Sequence, residues 1–177
     1  MFVNREADLE DLESRWGLRP QFYLLWGRRR VGKSALIRRF AAGREAVIYQ
    51  AVTGTSTDQL ELLSRRIRAW REDPLLAAAP LANWGQAFAY LENVGRVRKS
   101  SGEPLLVVLD EFQYLHASDD SIISHLQGFL EIVKHEELPL FVIVSGSAIG
   151  FFEEKVQELF MGGLIQGTTH LCQGQEA

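Results

Sequence analysis

The sequence predicts a three-layer α/β sandwich with a mostly parallel sheet, and three observations carry that expectation. Four short runs are almost uniformly apolar rather than alternating, as expected of strands covered by helices on both faces. Segments with helical period lie between them. The two kinds of segment alternate along the chain, which is the pattern of a sheet flanked by helices rather than of separate α and β regions.

The first apolar run is "FYLLW" at 22–26, bounded by Pro20 and Gly27, with the length and aromatic content of a buried strand. "AVIYQAV" at 46–52, "PLLVVLDEF" at 104–112 and "LPLFVIVSGS" at 138–147 read the same way. Leu60, Leu63, Ile67 and Trp70 form a helical stripe after the start signal Ser56, Thr57, Asp58. Trp84, Ala87, Phe88, Leu91 and Val94 form a second stripe after Asn83, with Gln86 at capping-box spacing. A third contains Ile122, Leu126, Phe129, Leu130 and Val133. The prolines of "DPLLAAAPLANW" at 73–84 fit a connection between helices. "GFFEEKVQELF" at 150–160 reads as a helix, whereas four glycines break any period in 161–177, where "TTHLC" at 168–172 reads as a short fifth strand.

A length of 177 residues suits one domain with one core. Hydrophobic residues at 46% and charged residues at 24% argue against disorder and against a fibrous chain. The 19 Lys and Arg against 23 Asp and Glu leave a net charge of −4, which gives no global footprint for nucleic acid. Cys172 is the only cysteine, so no disulfide framework or thiolate metal cluster can form, and the reducing cytosol is the compatible compartment. No apolar run reaches the ~18 residues of a membrane helix.

The chemistry concentrates at 27–34, "GRRRVGKS", which satisfies G-x-x-x-x-G-K-[ST] after an expected strand and before an expected helix. Gly27 and Gly32 permit torsions and close approach denied to residues with a Cβ. Backbone N–H groups from Gly27 through Ala35 can therefore converge on phosphate oxygens, joined by the positive end of the following helix. Lys33 supplies a point charge for the β- and γ-phosphates, and the Ser34 hydroxyl is a ligand for Mg²⁺. Arg28, Arg29, Arg30 and Val31 occupy the variable positions, where the backbone is used. The three arginine side chains read either as a solvated charge run or as contacts to a partner or nucleic acid.

Asp110 and Glu111 end the apolar run at 105–112, so both carboxylates emerge at the carboxyl edge of the sheet, where open α/β sheets bind ligands. Asp110 is expected to hold Mg²⁺ and Glu111 to polarise an attacking water; the competing reading makes them capping acids of a strand-to-helix turn. Ser145 and Ser147, closing "FVIVSGS", are candidates to lie beside the γ-phosphate or to cap the next helix. His116, His125 and His135 lie at no useful ligand spacing and read as surface or capping residues. Arg96, Arg98 and Lys99 read as a basic helix end, with an arginine finger as the alternative.

Four blocks in order, "FVNREADLEDLE" (2–13), "LLWGRRRVGKSALIRRF" (24–40), "LVVLDEFQYL" (106–115) and "VSGSAIGFF" (144–152), resemble the archaeal-type ATPase family of the STAND/AAA+ branch. The resemblance implies a P-loop NTPase core of the ASCE type, with an extra strand between the loop strand and the acidic strand. It also implies ATP and Mg²⁺ as ligands, and the 2–6 segment, including Asn4 and Arg5, near the adenine. Such proteins usually continue into a helical lid and a C-terminal domain. On this reading the core spans 1–165, an irregular tail follows at 166–177, and the lid is absent. The expected function is ATP hydrolysis, slow without a lid or a charge from a neighbouring copy or protein partner. The alternative is a nucleotide-dependent signalling or binding module. A nucleotide kinase fits less well, since the Asp-Glu pair argues against it.

Overall fold

The computed structural model describes residues 5–18, 20–156 and 167–172. Five strands, β1 Gln21–Gly27, β2 Ala46–Gln50, β3 Leu105–Asp110, β4 Leu140–Gly146 and β5 Gly167–Cys172, form one parallel sheet in the order β2-β3-β4-β1-β5. β4 thus lies between the loop strand and the acidic strand, where the resemblance placed an extra strand.

Side chains alternate along β1, β3 and β4, and both faces of these strands are covered, which is why their runs read as continuously apolar. Phe22, Leu24, Trp26, Val107, Leu109, Val142 and Val144 face one core. Helices α3 Ser56–Trp70, α5 Trp84–Arg98 and α7 Ile122–His135 cover that face with Leu60, Leu63, Ile67, Trp84, Phe88, Leu91, Leu126, Phe129 and Leu130. Tyr23, Leu25, Leu106, Val108, Phe141 and Ile143 face the other core, beneath α1 Glu6–Arg15 and α2 Lys33–Ala41. Phe40 and Phe141 meet there with ring centroids 5.2 Å apart, and Trp16 packs edge-on to Phe40.

The elements differ from the expectation in four places. Thr55, one residue before the expected start signal, caps α3: its side chain accepts from the Asp58 N–H while Asp58 accepts from the Thr55 N–H. Asn83 caps α5 as expected, but Gln86 reaches one residue further back, accepting from the Ala82 N–H instead of closing the box on Asn83. Within the proline-bounded connection, Pro74–Ala78 forms a short helix, α4, because proline suits a first helical turn. α6, Phe112–Ser118, begins directly after the acidic pair and has no stripe long enough to announce it.

Beyond β4 come a short helix, α8 Ile149–Phe151, and a π-helical turn, Phe152–Val156; the rest of the helix expected through 160 lies outside the described residues. Within the tail read as irregular, the short fifth strand expected at 168–172 is present as β5, which pairs with β1 from Phe22↔Gly167 to Gly27↔Cys172. The sheet therefore continues past residue 165: β1 offers an open edge, and the Thr-Thr-His-Leu-Cys run between glycines suits a short strand. No helix among the described residues is long and apolar enough to cross a membrane.

Candidate functional site

Strand register brings the chemistry together. Leu25 lies beside Ser145 and Trp26 beside Gly146, while Leu109 lies beside Val144, so β1, β3 and β4 all end at the same edge. The chain leaves β1 at Gly27 and enters α2 through Gly32, which caps the helix in the left-handed region at φ 85°. Arg30 also takes positive φ, at 66°, which costs a residue with a Cβ about 1 kcal/mol or more. The loop is thus bent into a strained turn that places α2's positive end at its mouth.

Lys33 folds back into that turn. Its ammonium is buried and donates to the Gly27 carbonyl at 2.8 Å and to the Arg28 carbonyl at 2.9 Å. A cation is thus fixed inside the loop rather than solvated on its surface. Ser34 donates to Asp110 Oδ2 at 3.0 Å, joining the loop helix to the end of β3. Ala35 continues α2, half-buried behind Ser34.

Asp110 is 4% exposed and heavily solvated by protein donors. Beside Ser34, its Oδ1 accepts from Ser145 Oγ at 2.6 Å and from the Glu111 N–H at 3.0 Å. Glu111 follows in the left-handed region, φ 55°, a conformation that concentrates at functional positions. Its side chain makes no cap bond to α6, which separates it from an ordinary capping acid. Instead Glu111 Oε2 accepts from Ser147 Oγ at 2.8 Å and from the Gln113 side-chain amide.

The two serines of the β4 turn thus part company. Ser145 is fully buried and its one proton goes to Asp110, so it stands behind the carboxylate and not at the ligand face expected of it. Ser147 is part-exposed on Glu111, and it caps no helix, since α8 has Ala148 at its cap. Replacing Ser145 with alanine is expected to lower stability by about 1.5–3 kcal/mol, because a buried carboxylate loses a hydrogen bond. Urea denaturation measures this; a loss under about 0.5 kcal/mol would show that Asp110 does not depend on the hydroxyl.

The arginines of the loop are exposed. Arg29 donates to Tyr114 Oη and to Ser147 Oγ at 3.5 Å, so its guanidinium bridges the loop to the Glu111 neighbourhood. Arg5 donates to the Val31 carbonyl and pairs with Asp8 at 2.9 Å, and so supports the loop from α1. Asn4, expected nearby, lies outside the described residues. Arg96 pairs with Glu136 through two 2.7 Å contacts and Arg98 with Glu45; both sit at the opposite edge of the sheet, which removes them as fingers within this chain. Glu136 is held below its usual pKa, first by its hydrogen bond from Arg96.

Sequence reasoning missed Gln113, Tyr114 and Gly146. A signal was present: polar residues directly after the acidic pair, and a glycine between the two serines.

No group of three or more His, Cys, Asp or Glu side chains among the described residues is arranged to hold a metal. The oxygens of Ser34 and Asp110, already within hydrogen-bond distance, suit a hard cation that keeps several waters and takes its remaining ligands from phosphate. The residues present therefore fit Mg²⁺ together with a nucleotide.

The chain is similar to known proteins along most of its length. An uncharacterized protein of Methanocaldococcus jannaschii is 27% identical over 158 residues, covering 88% of this chain and 32% of that protein. An uncharacterized ATP-binding protein of the same organism is 46% identical over 46 residues, 25% of this chain and 78% of that protein. The fold matches the Aeropyrum pernix ORC2 protein, solved as ADPNP-ADP complexes, with a TM-score of 0.63 and 18% identity, over 97% of this chain and 48% of that one. The chain thus spans about a third of the first relative and about half of the ORC2 protein. A family model for the ATPase domain found predominantly in Archaea matches residues 2–162. With the loop, its lysine and the acidic strand end assembled at one sheet edge, the chain belongs to that family of ATPase domains and carries a P-loop ATPase core.

Proposed function

We propose that the chain binds Mg-ATP in the 27–34 loop and hydrolyses it to ADP and phosphate. The observation that carries this is the convergence of buried Lys33, Ser34 and Asp110 with Glu111 one residue further on. Lys33 is placed to exchange its carbonyl partners for β- and γ-phosphate oxygens. Ser34 and Asp110 would hold Mg²⁺. When bound, the ion neutralises charge on the β- and γ-phosphates. Ser145 and the Glu111 N–H keep Asp110 in place for that task. Glu111 takes a proton from water as the water oxygen attacks the γ-phosphorus, and the bond to the β–γ bridging oxygen breaks with ADP as leaving group.

Turnover is expected to be slow. Lys33 lies in the loop's interior, but Arg28, Arg29 and Arg30 are exposed, and Arg29 is engaged with Tyr114 and Ser147. Added charge at the γ-phosphate is worth ~10³ to 10⁵ in rate. The source we propose for it is a neighbouring copy or a protein partner. The same engagement of Arg29 favours a second reading, a nucleotide-dependent switch with little hydrolysis. A phosphate-release assay on the 177-residue chain distinguishes them. Slow multiple turnover supports hydrolysis as the function; release no faster than the Glu111→Gln variant supports the switch.

A further inference from the structure

Gln113 has no part in the proposed reaction so far, yet its side chain reaches Glu111, Ser147 and the space over Gly146. Its side-chain Nε2 donates to Glu111 Oε2 and to Ser147 Oγ, the latter at 3.2 Å. Ser147 in turn donates to the same Glu111 oxygen at 2.8 Å. Both donors therefore converge on Oε2, and Glu111 Oε1 receives no hydrogen bond from the described residues. A carboxylate on a short rotatable stem is thus held by one oxygen with the other left for water.

The seat of this amide is built into the sheet. Gln113 Oε1 is buried without a hydrogen-bond partner, and it occupies the space where a Cβ on Gly146 would stand, alongside the Phe152 ring. Only a glycine at the end of β4 lets the Gln113 side chain cross to Glu111. Leaving a buried amide oxygen unpaired costs about 1–3 kcal/mol, so apolar packing alone would favour a hydrocarbon there. The amide's two protons are the feature a hydrocarbon lacks, and the structure spends one of its contacts on Glu111.

We infer that Gln113 is a positioning residue: seated over Gly146, it orients the Glu111 carboxylate so that Oε1 receives the proton of the attacking water. The inference rests on Glu111 being the base of the proposed reaction. Misplacing a reacting group by about 1 Å can cost on the order of 10²-fold in rate, which bounds the effect.

The test compares the parent with Gln113→Met, which keeps the volume over Gly146 but removes the donors, with Gln113→Asn, which is too short to reach, and with Glu111→Gln alone and combined with Gln113→Met. Single-turnover cleavage of Mg-ATP by excess protein gives the rate, calorimetry gives ATP affinity, and thermal melting checks the fold. The expected result is a loss of roughly 10- to 10²-fold in rate for both Gln113 variants with ATP affinity within about twofold. In the Glu111→Gln background the Gln113→Met change should have no further effect, because the residue acts only through that carboxylate. A rate within about twofold of the parent, a faster rate, or the same fractional loss in the Glu111→Gln background would overturn the inference. A Glu111→Gln variant as fast as the parent would instead remove the base assignment, and this inference with it.

Discussion

Replacing Lys33 with alanine is expected to bring ATP binding below detection in calorimetry. The ammonium would contact two phosphates, each charged contact contributing about 1.5–3 kcal/mol, so the combined loss exceeds ~10²-fold in affinity. The fold should persist, because α2 is anchored by Leu36, Ile37 and Phe40 in the core beneath the sheet. It should not be untouched, however. Lys33 also ties the carbonyls of Gly27 and Arg28 together, and Gly27 is buried at the end of β1. A drop of a few degrees in melting temperature is therefore expected without ligand. Unchanged ATP affinity in the variant would sink the assignment of the loop.

Glu111→Gln is the second large effect. The amide is nearly isosteric, and Ser147 and Gln113 can still donate to its carbonyl oxygen, so the loop, Ser34 and Asp110 keep their places. What disappears is the base. Turnover should fall by a factor of ~10² or more while Mg-ATP affinity stays within about twofold. A variant that binds ATP as well as the parent and cleaves it as fast would show that Glu111 only completes the turn into α6.

Much of the fold was legible because burial on both faces leaves an unbroken apolar run. Tyr23, Leu24, Leu25 and Leu105 through Leu109 are buried along consecutive positions, and the sequence shows them as such. The loop was legible for a different reason: its glycines, lysine and serine each answer a separate physical demand at fixed spacing. What resisted reading depended on contacts between distant strands. Ser145 and Ser147 look equivalent in sequence, but β4 ends at Gly146 between them, so Ser145 stays in the strand, buried on Asp110, while Ser147 lies in the following turn on Glu111. Gly146 looks like a turn glycine, yet its lack of a Cβ makes room for Gln113, 33 positions earlier in the chain. Helix α6 was invisible because seven residues hold too short a stripe, whereas β5 showed as the short run 168–172.

The central claim is that the 27–34 loop binds Mg-ATP, and thermal melting at increasing Mg-ATP tests it most directly. A ligand that binds only the folded chain stabilises it by RT ln(1 + [L]/Kd), about 2.7 kcal/mol at a hundredfold excess over Kd. The account predicts a melting temperature that climbs steadily with Mg-ATP in the parent and stays flat in Lys33→Ala. A parent whose melting temperature does not move at millimolar Mg-ATP, or a Lys33→Ala variant that climbs equally, would contradict it.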